Sequence, residues 1–358
     1  MSLPEIRRKI DSVDEQLIAL LNERADLVHQ VGEVKRAEGT EIYAPEREEH
    51  VLRSLVEKNR SLNGRLPEKS IRAIYREIMS ASLALEKDLT IAYFGPVATN
   101  THQAARSKFG ASVEYVPKVS IGDVFDAVAR EQADYGVVPI ENSTEGAVNH
   151  TLDMFMESEL RICAQILLKI ENHVLSKGPR AEIRKVYSHP QVFGQCRQWL
   201  RANMQGVDLI EVSSTPRAAE LAAAQPHSAA LAGRMAGEVY GLNIVAESIQ
   251  DIPNNTTRFL VIGQSSSPPT GNDRTALMFC IRDEPGALFH ALEPFNRLRI
   301  SLSKIESRPS KRKAWEYFFF ADVDGHAGEP ALIEALEALG QHCSFVKILG
   351  SYPKTAST

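Results

Sequence analysis

Apolar residues between Ser2 and about Asp88 recur at helical spacing, and no strand-like alternation interrupts them. Ser2 and Glu5 form an S-x-x-E capping box around Pro4, so the spacing predicts helices over about 3–37, 45–60 and 67–87, broken at Gly39-Thr40 and Asn63-Gly64. A helix of some 35 residues runs about 50 Å, longer than two shorter helices of the same chain can cover. A second copy is therefore expected to cover the remainder, in an all-helical homodimer with interleaved long helices.

From Leu89 to about Gly263 short apolar strands alternate with helices: TIAYF, a helix over 101–109, SVEYV, a helix over 120–131, and YGVVPI. This pattern predicts parallel sheets with crossover helices. KVYS, DLIEV, AALAG and NIVAE are expected to build a second sheet, with ICAQILLKIENHVLS and RFLVIG passing between the two. Two lobes facing a cleft result, and ligands sit at the carboxyl ends of such strands. Ser265 to Gly271 reads as a flexible linker. Beyond it, RTALMFCI, PGALFHALEPFNRL, SLSKIES, WEYFFFADV, PALIEALEALG and SFVKIL follow the βαββαβ order of an α+β ferredoxin-like domain. The expected segments are 1–88, 89–265 and 272–355.

A length of 358 residues suits two or three domains, and 43% hydrophobic content is enough to give each a core. The formal charge of −5 provides no field for nucleic acid, and no apolar run is long enough to span a bilayer. MSLPEIRRKIDS has neither an apolar signal core nor a cleavage site, so a cytoplasmic protein is expected. Cys163, Cys196, Cys280 and Cys343 lie far apart without a C-x-x-C pair, as expected of buried thiols rather than a zinc site or disulfide framework. No cofactor and no metal is implied.

Two patterns carry chemistry. On the first helix Leu17, Leu21, Arg24, Val28, Val31 and Lys35 are spaced 4, 3, 4, 3, 4, which puts two cations on the apolar seam. Such cations either reach the helix edge to pair with glutamates or meet an anionic ligand. Arg7 lies roughly 90° around the helix from them at ~100° per residue, and so is expected to join only from a partner. The second pattern is a polar set at predicted strand ends: Glu141, Asn142 and Ser143 after YGVVPI, Ser188, Gln191 and Gln195 in SHPQVFGQC, and Thr257 and Phe259 in NNTTRF. A further set, Ser213-Ser214-Thr215, precedes a helix. Taken singly these are caps and turns; together they line a cleft rich in neutral donors. No G-x-G-x-x-G, metal triad or Ser-His-Asp order accompanies them.

The first segment resembles the all-helical chorismate mutases, through Arg7, the ERxxL and VGxxK pattern with Arg24 and Lys35, and Arg47-Glu48 on the next helix. The resemblance implies a Claisen rearrangement of chorismate to prephenate, with Ser82 and Glu86 completing the site and Arg24, Lys35 and Glu86 acting on the ether bond. Fixed cations suit it, because they hold a compact dicarboxylate and stabilise charge developing on the ether oxygen. Many family members carry Gln in place of Glu86. A Glu donates a hydrogen bond only when protonated, so mildly acidic pH should favour this mutase.

The middle segment resembles prephenate dehydratase through Gly95-Pro96, VVPIENSTEGAV, SHPQ and TTRF, in that family's order. A two-lobed α/β fold like that of periplasmic binding proteins is implied. So is decarboxylative dehydration of prephenate to phenylpyruvate, with Thr257 as proton donor and Thr99, Glu141, Asn142, Ser143, Ser188, Gln191, Gln195 and Phe259 around the substrate. Departing CO2 removes the need for a base. Val97, Ala98 and Asn100 stand where the family usually shows an acidic residue, Gly and an aromatic, and Ala adopts positive φ only at a cost. The last segment resembles a phenylalanine-binding ACT domain through EPGAL and IESRP. The implied effector residues are Gly286, Ala287, Leu288, Glu306, Ser307, Arg308 and Pro309. Two alternatives stay open: an amino-acid-responsive binding protein with a lapsed catalytic segment, and an arogenate dehydratase.

Overall fold

The computed structural model describes residues 1–39, 43–282, 284–310 and 316–355. Inter-residue contacts divide the chain into a first unit, Met1–Thr90 with Phe109–Glu114, and a second unit holding the rest.

In the first unit, α1 (Leu3–Glu38), α2 (Pro45–Ser61) and α3 (Glu68–Glu86) match the predicted helices. The Ser2–Glu5 capping box opens α1, and Gly39 closes it at φ 66°; Thr40, the other half of that predicted break, lies outside the described residues. Of the 36 residues of α1 only Gly32 is buried. Leu3, Ile6, Ile10, Val13, Leu17, Ile18, Leu20 and Leu21 all stand in solvent. The apolar stripe of this helix is thus uncovered among the described residues. The small core of the unit gathers Val56, Ile71, Leu83 and Leu89, with Tyr43 and Phe109 packed ring against ring, their centroids 4.9 Å apart.

The second unit begins with β1 (Thr90–Phe94), α4 (Asn100–Phe109), β2 (Glu114–Lys118), α5 (Ile121–Ala129), β3 (Tyr135–Asn142), β4 (Gly146–Ala147), α6 (Asn149–Glu157) and β5 (Arg161–Lys169). The chain then forms β6 (His173–Ser176), β7 (Lys185–Ser188), α7 (Pro190–Gln195), α8 (Arg197–Asn203), β8 (Asp208–Glu211), α9 (Thr215–Ala224), β9 (Ser228–Ala232), α10 (Arg234–Tyr240) and β10 (Asn243–Ala246), and returns through β11 (Thr256–Gly263). One sheet has the order β2-β1-β3-β11-β5, with β4 on β3; the other has β10-β6-β9-β7-β8.

The sheets are mixed, not parallel as expected. β11 runs antiparallel to β3 and β5, and β6 runs antiparallel to β9 and β10. Connectivity explains this: the chain leaves the first lobe at the carboxyl end of β5 and returns after β10, so each crossing strand starts at the cleft where its neighbours end. RFLVIG therefore lies inside the first sheet, while ICAQILLKIENHVLS is divided into β5 in one sheet and β6 in the other.

The C-terminal part comprises β12 (Asp273–Ile281), α11 (Ala287–Arg297), β13 (Leu302–Pro309), β14 (Tyr317–Asp324), α12 (Pro330–His342) and β15 (Cys343–Pro353), in one sheet of order β13-β14-β12-β15. This is the predicted βαββαβ unit. One face of its sheet packs Leu277 and Phe279 against Phe295 of α11 and Leu339 of α12. The other face sends Met278, Phe320 and Tyr352 into one core with Phe125, Phe155 and Ile162 of the first lobe. The expected flexible linker is in fact held: Ser267 is buried, its N–H donates to the Ser351 carbonyl (3.2 Å), and Thr270 Oγ1 donates to Asp273 (2.6 Å). Composition sees only the Ser and Pro content of this stretch, not the strand it crosses.

Candidate functional sites

In the first unit α1 and α3 bring four predicted residues together. Arg24 donates to Ser82 Oγ, Lys35 Nζ lies 3.1 Å from Glu86 Oε2, and Ser82 and Glu86 are buried. Ser82 Oγ in turn donates to the Ile78 carbonyl (2.8 Å), which fixes its rotamer. Gly32 makes this approach possible, because a Cβ there would stand 3.2 Å from Glu86 Cγ. Arg36, which sequence reasoning missed, donates to the Glu86 carbonyl at the end of α3 (2.8 Å). Arg7 and Arg47 are exposed, and Glu48 is half-buried at the start of α2. Arg7 lies 17 positions from Arg24 on one helix, about 25 Å along its axis. It therefore cannot reach the Arg24–Lys35 cluster within one chain.

At the cleft end of β3 and β11, Asn142 pairs across the ladder with Thr257, and Glu141 with Arg258. Successive residues face opposite sides of a sheet, so Asn142 and Thr257 share one face and Glu141 and Arg258 the other. Asn142 Nδ2 donates to Thr257 Oγ1 (2.8 Å) and to Asn255 Oδ1 (2.7 Å). Its Oδ1 accepts from Thr144 N, Thr144 Oγ1 and Glu145 N. All polar groups of this amide are engaged within the chain, and one of its N–H groups holds Thr257. Because Thr257 Oγ1 accepts from Asn142, its own proton remains available to a ligand.

Several other predicted residues are engaged by neighbours within the chain. Glu141 faces away from Thr257, with Oε2 3.2 Å from Arg258 and 3.0 Å from Lys304. Ser188 is fully buried and donates to the Leu231 carbonyl (2.8 Å), tying β7 to β9. Phe259 is buried too and forms backing for the crevice, not an open wall. Ser143 staples the return loop by accepting from Thr256 N (3.0 Å). Gln195 reaches across the cleft, donating to Glu145 of the first lobe (3.3 Å), while Gln191 is exposed on the first turn of α7. Ser214, the middle residue of the Ser213–Thr215 set, caps α9 by accepting from Arg217 N (3.3 Å). The four cysteines are buried, and burial pushes the thiols of Cys196 and Cys343 up to about 12 and about 11.

Thr99 stands at the mouth of β1, its Oγ1 donating to the Phe94 carbonyl and accepting from His102 N, both at 3.3 Å. Ala98 beside it adopts φ 67°, the left-handed conformation that its family position suggested. An alanine held there stores about 1 kcal/mol or more of strain. His102 Nδ1 accepts from Ala98 N (3.1 Å), and His173 Nδ1 accepts from Ser248 N (3.1 Å), so both rings serve as neutral acceptors. Burial first, and then Arg106 or Arg234, holds both pKa values below the ordinary 6.5. Above about pH 6.5 both histidines are neutral, folded or unfolded; as pH falls below it, the unfolded chain takes up these protons first and folding loses stability until the depressed folded values are passed. Thermal melts between pH 7.5 and 5.5 should therefore show a falling midpoint, and His102→Gln should make that fall shallower.

In the C-terminal part Gly286 takes φ 79° at the start of α11, with Ala287 buried and Leu288 half-buried behind it. The register runs Cys280–Phe318–Arg308 across three strands, which places IESRP and the end of β12 leading to Gly286 at one end of the sheet. β13 is an edge strand, with Ser307 and Pro309 exposed and Glu306 half-buried. Arg308 is instead turned to the first lobe, where Nη2 bridges both oxygens of Asp153 at 2.9 and 3.2 Å.

Residues 6–87 match chorismate mutase type II, residues 91–267 prephenate dehydratase, and residues 275–341 the ACT domain. The bifunctional chorismate mutase/prephenate dehydratase of Aquifex aeolicus (strain VF5) is 48% identical over 354 residues, 98% of each chain. The chain belongs to this bifunctional family. It is an enzyme that pairs an isomerase segment with a lyase segment. Among solved structures, the prephenate dehydratase of Arthrobacter aurescens in complex with L-Phe is similar at 32% identity and TM-score 0.68, over 74% of this chain and 90% of that one. GqqA, described as a novel type of quorum quenching acylase, is similar at 26% identity and TM-score 0.69, over 75% of this chain and 98% of that one. No helix among the described residues is long and apolar enough to cross a membrane.

Proposed function

We propose that this chain rearranges chorismate to prephenate at Arg24, Lys35, Ser82 and Glu86, and converts prephenate to phenylpyruvate at the crevice headed by Thr257. The observation that carries the second half is the Asn142–Thr257 hydrogen bond, which leaves the threonine proton for the leaving group. In that step the electrons of the breaking C–CO2 bond enter the ring and expel the ring hydroxyl. Thr257 donates a hydrogen bond, and finally the proton, to the departing oxygen, so CO2 and water leave as the ring becomes aromatic. In the first step no group is transferred; Arg24 and Lys35 hold carboxylates and Lys35 with Glu86 meets the lengthening ether bond.

The exposed apolar face of α1 and the distance of Arg7 from Lys35 support a homodimer in which Arg7 of one copy completes the site of the other. The edge position of β13 supports a second contact between copies, with phenylalanine as effector near Gly286–Leu288 and Glu306–Pro309. The complex of the similar Arthrobacter enzyme with L-Phe supports that effector. The absence of a spanning helix among the described residues is compatible with a cytoplasmic setting. Purified protein given chorismate should accumulate phenylpyruvate, and phenylalanine should suppress it while prephenate builds up. Accumulation of prephenate without phenylalanine present would sink the dehydratase half. Light scattering should show a dimer or larger; a monomer retaining mutase activity would sink the shared site.

A further inference from the structure

Behind the Asn142–Thr257 pair lies a part-buried charge cluster that the chemistry above does not use. Arg258 is buried; its Nη1 lies 2.5 Å from Asp322 of β14 and its Nη2 3.2 Å from Glu141. Lys304 of β13 closes the set, 3.0 Å from the same Glu141 oxygen. Two strand ends of the first lobe are thus gripped from the back by two residues of the C-terminal sheet.

On one side Thr257 and Arg258 pair in unbroken register with Leu168 and Leu167 of β5. On the other, the β3–β11 register shifts between Arg258 and Phe259, so one extra residue of β3 is accommodated beside the pair. A bulge of this kind bends the strand that carries it, raises the local twist and re-aims the side chains of Glu141 and Asn142 next to it. Arg258 and Glu141 are the immediate neighbours of Thr257 and Asn142, and they are held by Asp322 and Lys304.

The cluster is a poor adhesive. Arg258 Nε and Tyr352 OH are buried with no hydrogen-bond partner among the described residues. They border a cavity of about 20 Å3 that Lys304 and Asp322 also line. A buried ion pair with unmet donors adds little net stability. The two parts are joined elsewhere in any case, by Arg161 to the Ile348 carbonyl, Arg308 to Asp153, and Lys347 to the Ser158 carbonyl (2.7 Å).

We propose that Asp322 and Lys304 are positioning residues for the dehydratase reaction, fixing Arg258 and Glu141 so that Thr257 and Asn142 face the crevice in register. The C-terminal sheet then completes the catalytic centre from behind, and β13, which carries Lys304 next to the IESRP run, links the effector end of the sheet to it. The inference rests on the reading of Thr257 as proton donor, so Thr257→Ala is measured alongside.

In the full-length protein, Asp322→Asn should lower dehydratase kcat by ~10-fold or more, the scale of a misplaced catalytic group. KM for prephenate should stay near the wild-type value, and mutase turnover in the same preparation should be unchanged. Asp322→Glu, which restores the charge, should recover most of the rate. Lys347→Met, which removes a contact between the same two parts away from Thr257, should leave kcat unaltered. Wild-type kcat in Asp322→Asn overturns the proposal, as does an equal loss in Lys347→Met. If Asp322→Asn loses its cooperative melt, Lys304→Gln decides: a several-fold fall in kcat at unchanged KM supports the role, and an unchanged kcat ends it. An active Thr257→Ala would instead overturn the site assignment itself.

Discussion

Thr257→Ala should lower phenylpyruvate formation by ~10²- to 10⁴-fold, the range of a lost positioned proton donor, while chorismate consumption proceeds at the wild-type rate. The expectation is sharp because the geometry separates two roles on adjacent strands. Asn142 donates both of its N–H groups and accepts three bonds, one of the donated bonds going to Thr257. Thr257 accepts one bond and has one proton to give. Thr257→Ser keeps the hydroxyl without the β-branch and should retain a substantial part of the activity. Quenched-flow product analysis with prephenate as substrate distinguishes the variants. Equal rates for Ala and wild type would leave the crevice without its proton source.

Lys35→Ala should reduce mutase turnover by ~10²- to 10³-fold, the cost of removing one preorganised donor aimed at developing charge. The dehydratase rate on added prephenate should be unchanged, because Lys35 and Glu86 lie in the first unit and Thr257 in the second. Lys35 and Glu86 form an ion pair, so Glu86 must take up a proton before it can donate to the ether oxygen. Glu86→Gln supplies a donor at every pH. It should therefore flatten any pH dependence that the carboxyl imposes on the mutase. A wild-type profile already flat from about pH 5 to 9, where a carboxyl and an amide differ, would show that Glu86 does not make that contact.

These expectations use residues that were legible to unequal degrees. Arg24 and Lys35 announced themselves because two charges at apolar heptad-like positions call for either glutamate partners or an anionic ligand, and α1 and α3 then brought Ser82 and Glu86 to them. The polar run after β3 announced a strand mouth in the same way. What the run could not announce was which side each member faces, since Glu141 and Asn142 are neighbours in sequence and back to back in the sheet. Arg258 belongs to the TTRF motif, which does not tell that its side chain turns to the C-terminal sheet, while Lys304 and Asp322 carry no local signal at all. Their partners lie 163 and 64 positions away.

The order of residues alone determined the three helices, the two lobes and the βαββαβ unit, because periodicity, caps and motif spacing are local quantities that folding preserves; both chemistries came from the resemblance of its motifs to known families. Only the tertiary structure decided that the crossing strands run antiparallel, that Ser188 and Phe259 are buried, that Asn142 holds Thr257, and that Arg308 and Glu141 answer to the opposite part of the second unit. Those outcomes depend on which strand lies beside which and on which face a residue takes. Both are long-range choices, made by burial and charge pairing between segments that share no sequence neighbourhood.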